Sequence, residues 1–285
     1  MRTVSEDTTP AVERMQLDIL ARLPAWRKAQ LIVGMNTMLS ILALGGIKER
    51  YPGAGGRELR YRLDEQRLGA EAAWRLKTAR EGRQYEYEED AYMVTDPIPV
   101  TLMVIAALDH LRISYYIGGS LASGVHGTYR ATADADIVAD LSEDQVDRFA
   151  GMLSGQFYAD PAMMRDAIRH RESFNLLHLG TGFKVDIFVA KGRPFDRSQF
   201  ERRVSRTIEP EGDRSVFVSD AEGTILAKLE WYRMGGEVSD RQWTDILGIL
   251  KVRAHDIELD YLRRWAAELG LSDLLDRALD DAGIA

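Results

Sequence analysis

Apolar positions recur every three or four residues through the first eighty residues, which predicts helices over Ala11–Leu23, Ala25–Leu44, Arg57–Leu68 and Ala70–Arg80. Pro24 parts the first two, and Gly45-Gly46 is expected to end the second. Tyr51-Pro52-Gly53-Ala54-Gly55-Gly56 reads as a loop by composition. Ala29–Ile47 carries no formal charge and is nearly as long as a bilayer requires. Its polar and small residues Gln30, Gly34, Thr37 and Ser40 trace one helical face, however, and Asn36 and Gly45-Gly46 weaken the membrane reading further. The segment therefore reads as an amphipathic or interface-buried helix, with no membrane partner.

Beyond the polar, acidic stretch Gln84–Asp96, the pattern alternates between element types. Val100–Leu111 is helical, and Ile113–Ile117 is a short β-type run that meets Gly118-Gly119-Ser120 and a helix to about Val125. Asp134–Ala139 reads as a strand, and Ser142–Gln145 as a capping box opening a helix to about Leu153. Phe174–Leu179 and Phe183–Val189 form a hairpin across Gly180-Thr181-Gly182. The remainder is expected to be helical, with a capping box at Ser219–Glu222, a second opening at Ser239–Gln242, and closing helices at Leu259–Leu269 and Ser272–Ala282. The fold class is α+β: a small mixed sheet with a helical tail, preceded by an all-α N-terminal module. The boundaries are residues 1–90 for the helical module and 91–285 for the second domain, its core running to about 215 and its tail over 216–285. A few short helices bury little area alone, so the first module needs a surface to pack on, in cis or in a dimer.

With 285 residues and 45% hydrophobic content, the chain can build a core. It has no cysteine, which excludes disulfides, thiolate metal sites and cysteine nucleophiles and suits a reducing cytoplasm. The net charge of −8 lies almost wholly in the second part, which argues against broad non-specific DNA binding but leaves room for an RNA end held by a few basic residues.

The chemistry concentrates between residues 118 and 137. Asp134 and Asp136 lie two apart in the expected strand, so both side chains project from one face. Adjacent carboxylates repel unless a cation or a proton compensates, and hard divalent ions take such oxygen ligands. In Lys184-Val185-Asp186-Ile187-Phe188-Val189, Asp186 lies opposite the apolar face; if the hairpin pairs beside the Asp134 strand, three carboxylates converge, as two-metal phosphoryl transfer requires. A strand running into Gly118-Gly119-Ser120 and a helix offers backbone N–H groups to a phosphate. Ser120 either caps that helix or contacts the phosphate directly. The five histidines show no metal-ligand spacing.

Gly119-Ser120, the Asp134-x-Asp136 pair and Asp186 resemble the pattern of the polymerase-β-like nucleotidyltransferase superfamily. Within it, Arg130-x-Thr132-x-Asp134-x-Asp136, Lys228 in Ala-Lys-Leu-Glu-Trp-Tyr-Arg and Asp245 in Asp-Ile-Leu resemble the four motifs of the AbiE/MenT nucleotidyltransferase toxins. The resemblance covers residues 97–285. It implies a Mg²⁺- (or Mn²⁺-) dependent enzyme moving an NMP from an NTP to an acceptor hydroxyl, which in the characterised toxins is the 3′ end of tRNA. Asp134, Asp136 and Asp186 would hold the metals, Lys228 and Asp245 would complete the catalytic set, and Gly118, Gly119, Ser120, Arg130 and Thr132 would bind the nucleotide. Many relatives have a tighter Asp-x-x-Asp in the last motif; here Asp240 and Asp245 are five apart, and Asp245, which no cap explains, is the favoured member. The N-terminal helices resemble small antitoxin-like proteins encoded beside such toxins, which implies a module that restrains the enzyme. Two other readings stay open: transfer to a protein hydroxyl or an aminoglycoside, and a catalytically idle fold acting as a binding or antitoxin partner.

Overall fold

The structure, a computed structural model, describes residues 9–82, 96–208 and 215–284. The acidic stretch that holds the expected module boundary lies, apart from Asp96, outside the described residues. In chain order the elements are α1 (Pro10–Arg22), α2 (Ala25–Arg50), α3 (Gly56–Leu68), α4 (Ala70–Gly82), α5 (Pro97–His110), β1 (Tyr115–Ile117), α6 (Gly119–His126), β2 (Asp134–Ala139), α7 (Val146–Leu153), β3 (Phe157–Tyr158), α8 (Pro161–His170), β4 (Ser173–His178), β5 (Lys184–Val189), α9 (Pro194–Arg202), β6 (Val204–Thr207), β7 (Ser215–Val218), α10 (Ala221–Met234), α11 (Asp240–Val252), α12 (Leu259–Leu269) and α13 (Ser272–Ala282). The class is α+β, with parallel and antiparallel strand pairs combined.

Three expectations change. The second helix does not stop at Gly45-Gly46 but runs on to Arg50. Leu44 and Ile47 lie on either side of the glycines and pack together on Leu59 and Leu63, and that burial outweighs the roughly 1 kcal/mol each glycine costs a helix. The segment after the hairpin is not all helical, because β6 and β7 pair antiparallel from Val204↔Val218 to Thr207↔Ser215. Each is four residues long, too short for its alternation to stand out in sequence. The helix expected to open with a Ser219 capping box is capped instead by Asp220, whose side chain accepts from the Gly223 backbone N–H.

The chain divides into two compact units that interleave along the sequence, residues 1–30, 116–130 and 192–285 in one and residues 31–115 and 131–191 in the other. In the second unit the strand order is β3-β4-β5-β2. β2 and β5 run parallel in register from Asp134↔Lys184 to Ala139↔Val189, and β4 lies antiparallel to β5. Ala135, Ile137, Ala139, Val185, Ile187 and Val189 fill the buried face. α5 packs on β2 and α8 on β4, while α7 packs against both helices. Alternation then leaves Asp134, Asp136, Lys184 and Asp186 together on the other face.

Helices α3 and α4 belong to this same unit. Leu76 of α4 packs with Leu177 and Leu179, at the end of β4 and in the turn that follows it. Arg80 donates from Nε to the Leu179 carbonyl at 2.8 Å and from Nη1 to Asp64 at 2.5 Å. The turn itself comes close to Asp64: Gly182 has φ +72°, and a Cβ there would collide with the Asp64 carboxylate. Gly182→Ala therefore combines left-handed strain with a clash on a buried ion pair and should lower stability by about 1–3 kcal/mol, read as a fall in Tm. An unchanged Tm would show that the turn relaxes freely.

The first unit contains β1 parallel to β7, with Ile117 opposite Val218, and β6 beyond. A core of Ile225, Leu229, Ile246, Leu250, Leu262 and Leu275 joins α10–α13. α6 packs on α10 and α11, and the loop after it approaches α11 so closely that a Cβ on Gly127 would lie 2.7 Å from the Ile249 nitrogen. His126 at the end of α6 is buried, with Nε2 2.6 Å from the Ser219 carbonyl. Burial lowers its pKa to about 4, so it is neutral and donates that bond. α1 packs on α11, where Glu13 pairs with Lys251 at 3.2 Å, and Lys28 donates to the Val125 carbonyl at 2.9 Å.

The residues of the expected N-terminal module are thus divided between both units. By length and composition α2 could cross a membrane. Its polar side is not its solvent side: Lys28, Asn36 and Ser40 are buried, whereas Met38, Leu39, Ile41 and Leu42 are exposed.

Candidate active site

The acidic cluster follows from the register of β2 and β5. Parallel pairing sets Asp136 opposite Asp186 and Asp134 opposite Lys184, all four on one face. The Lys184 ammonium lies 2.6 Å from Asp186 Oδ2 and 3.4 Å from Asp134 Oδ2. Among the described residues no three His, Cys, Asp or Glu side chains are placed, as they stand, to share a metal ion. Burial holds the Asp186 carboxyl above the usual carboxylate range, against the pull of Lys184. Burial pulls the Lys184 ammonium down, but its bonds to Asp186 and the charge of Asp134 outweigh this and raise its pKa. Asp134, Asp136 and Asp186 put hard oxygen donors on one face, a donor chemistry that suits a small divalent cation.

Thr132 enters the same cluster. Its hydroxyl donates toward the Asp134 carbonyl at 2.9 Å and toward the Asp134 carboxylate oxygen Oδ1 at 3.2 Å. The Thr132 backbone is held by Asn36 of α2, whose amide accepts from its N–H and donates to its carbonyl, both at 2.9 Å.

A second cluster forms in the other unit around Asp245. This residue is 2% exposed in the middle of α11. It accepts from Arg130 Nε at 3.1 Å and from Lys228 Nζ at 2.8 Å, and Lys228 also donates to Gln242 at 3.0 Å. Arg130 continues to Ser120, donating from Nη2 to Oγ at 2.7 Å. Ser120 forms no cap bond on α6; its hydroxyl accepts from Arg130 instead. Gly119 has φ +54°, so the turn from β1 into α6 uses a conformation that glycine adopts without strain. Asp240 lies exposed in the first turn of α11. The geometry thus links Ser120, Arg130, Asp245 and Lys228, and separately Thr132, Asp134 and Asp186, with Asp136 paired beside Asp186.

Lys184, Gln242 and Asn36 were not among the expected site residues. Lys184 was readable, since it lies two residues before Asp186 and so shares its face. Gln242 stood in a capping box, which accounted for it without a site role. Asn36 was a polar break in an apolar helix, and its partner lies 96 residues away.

No protein-family model matches the sequence, and no curated protein matches it significantly. Among solved structures, the fold is similar to that of an antigenic nucleotidyltransferase-like protein from Paracoccidioides brasiliensis, at 17% identity and a TM-score of 0.40 over 66% of this chain and 94% of that one.

Proposed function

We propose that the chain is a metal-dependent nucleotidyltransferase that moves an NMP from an NTP to an acceptor hydroxyl, with the 3′ end of a tRNA as the acceptor. The observation that carries this reading is the in-register placement of Asp134, Asp136 and Asp186 on one face of two parallel strands. Asp134, Asp136 and Asp186 would hold Mg²⁺ or Mn²⁺, which when bound would neutralise phosphate charge and acidify the acceptor hydroxyl. The acceptor oxygen bonds to the α-phosphorus, the bond from that phosphorus to the bridging oxygen breaks, and pyrophosphate leaves. Asp186 would also help to take the hydroxyl proton. Gly118, Gly119 and Ser120 would present backbone N–H groups and a hydroxyl to the triphosphate, and Arg130 its guanidinium. Asp245 fixes the side chain of Arg130 and pairs with Lys228 as well.

Incubating the full chain with labelled NTPs and Mg²⁺ should label total tRNA and leave protein and aminoglycosides unlabelled. Label on protein or on an aminoglycoside would replace the acceptor, and no label on any of them would favour an idle fold. Lys228→Ala should lower turnover on the order of 10²-fold, as loss of a preorganised electrostatic group does. Asp245→Ala should cost at least as much, because it releases two cations at once, and exposed Asp240→Ala should change little. Equal, small effects of both aspartates would remove Asp245 from the mechanism.

The enzyme would act in the cytoplasm as a toxin-type transferase. For residues 1–82, a supporting role is favoured over restraint. Glu13, Lys28 and Asn36 each make buried ties to later parts of the chain, at Lys251, Val125 and Thr132.

A further inference from the structure

Asn36 carries chemistry that a packing helix does not need. It lies mid-helix in α2, 6% exposed, with its amide making two 2.9 Å bonds to one residue, Thr132. Donor and acceptor on a single planar group match the N–H and C=O of a peptide, as a neighbouring strand would. The two bonds set the orientation of the Thr132 backbone and hence the direction of its hydroxyl. That hydroxyl is shared between the Asp134 carbonyl at 2.9 Å and Asp134 Oδ1 at 3.2 Å, while Asp134 Oδ2 faces Lys184. Both oxygens of one acidic side chain are therefore oriented, one of them by a chain of contacts that starts in α2.

We propose that Asn36 is a positioning residue for Asp134, acting through Thr132, so that α2 supplies part of the outer support of the metal-binding carboxylates. This rests on the reading of Asp134 as a metal ligand. Groups that orient ligands from outside are worth on the order of 10–100-fold in metal affinity or activity. Aspartate in place of Asn36 keeps the size but has no donor, and sets a carboxylate against the Thr132 carbonyl. Leucine keeps the volume and removes both bonds. Thr132→Val leaves both bonds from Asn36 to the backbone intact and cuts only the hydroxyl's bonds to the Asp134 carbonyl and carboxylate.

The test uses the full chain and Mn²⁺ as the probe, with free Mn²⁺ followed by electron paramagnetic resonance and transfer rates measured over a range of Mg²⁺ concentrations. Asn36→Asp and Asn36→Leu should weaken Mn²⁺ binding on the order of tenfold or more, and Thr132→Val should do the same at near-normal Tm. Higher Mg²⁺ should restore much of the rate in all three, because the ligands remain and only their orientation is relaxed. Combining Asn36→Leu with Thr132→Val should cost little more than either change alone, since both interrupt one chain of contacts. If wild type binds Mn²⁺ and transfers nucleotide while Thr132→Val and both Asn36 variants match its affinity and Mg²⁺ dependence, the positioning role is overturned alone. Wild-type protein that neither binds Mn²⁺ nor transfers nucleotide overturns the functional reading, and this proposal with it.

Discussion

Asp186→Asn is expected to abolish nucleotide transfer and yet raise the thermal stability of the metal-free protein. Asp134→Ala and Asp136→Ala should likewise abolish transfer. The loss of activity follows from charge: each carboxylate contributes to a donor set that must balance a divalent ion and a triphosphate. The gain in stability follows from burial, which holds the Asp186 pKa above that of an exposed carboxyl. A carboxyl whose folded pKa exceeds its unfolded pKa costs no stability below the unfolded value and weakens the fold as pH rises through the folded value. In EDTA, the Tm advantage of Asp186→Asn should therefore be absent in acid and open as pH rises above the usual carboxylate range. Saturating Mg²⁺ should stabilise wild type and leave the variant unmoved, since only a state that binds is stabilised. Near-normal turnover in Asp186→Asn would remove this residue from the mechanism.

The acidic cluster was legible because it depends on short-range rules. Asp134 and Asp136 share a face by strand alternation, and the hairpin containing Asp186 announces itself by its glycine turn. What spacing alone could not supply was the neighbour of β5. The pairing of Asp136 with Asp186 joins residues 50 positions apart, and the motif resemblance, not the periodicity, pointed to it. The Asp245 cluster was half legible. A carboxylate in the apolar middle of α11 requires a partner, but nothing in the sequence says that Arg130 and Lys228 are those partners. The role of α2 was hidden for a different reason. Its uncharged run invites a choice between membrane and core, and both options treat polar residues as exceptions. In the fold the polar residues point inward, Lys28, Asn36 and Ser40 each making a specific bond. Burying polar side chains is tolerable when each finds a partner; Ser40 finds one a turn earlier in its own helix, whereas Lys28 and Asn36 find theirs at distant chain positions that periodicity does not see.

Removing residues 1–90 should cost the protein its stable fold, not release its activity. A restraining module would be expected to leave an enzyme behind when cut away. Here the loss would expose Leu177 and Leu179, which pack under Leu76, and would strip Arg80 from the Leu179 carbonyl. It would also take Glu13 from Lys251, whose side chain is 1% exposed. Breaking one buried ion pair by deleting a partner costs about 3–5 kcal/mol, and uncovering each large apolar side chain adds about 1.5–3 kcal/mol. Together these terms match the whole stability of an ordinary domain, about 5–15 kcal/mol. A fragment starting at Ala91 should accordingly be insoluble or lack a cooperative melting transition by circular dichroism, and should transfer no nucleotide. Supplying residues 1–90 in trans should restore activity only if the two pieces are refolded together, because the missing contacts are part of the core. The decisive contrary result is a soluble fragment with a sharp transition and higher NTP transfer than the full chain. That outcome would make residues 1–90 a restraining module, and residues 91–285 a transferase that folds without it.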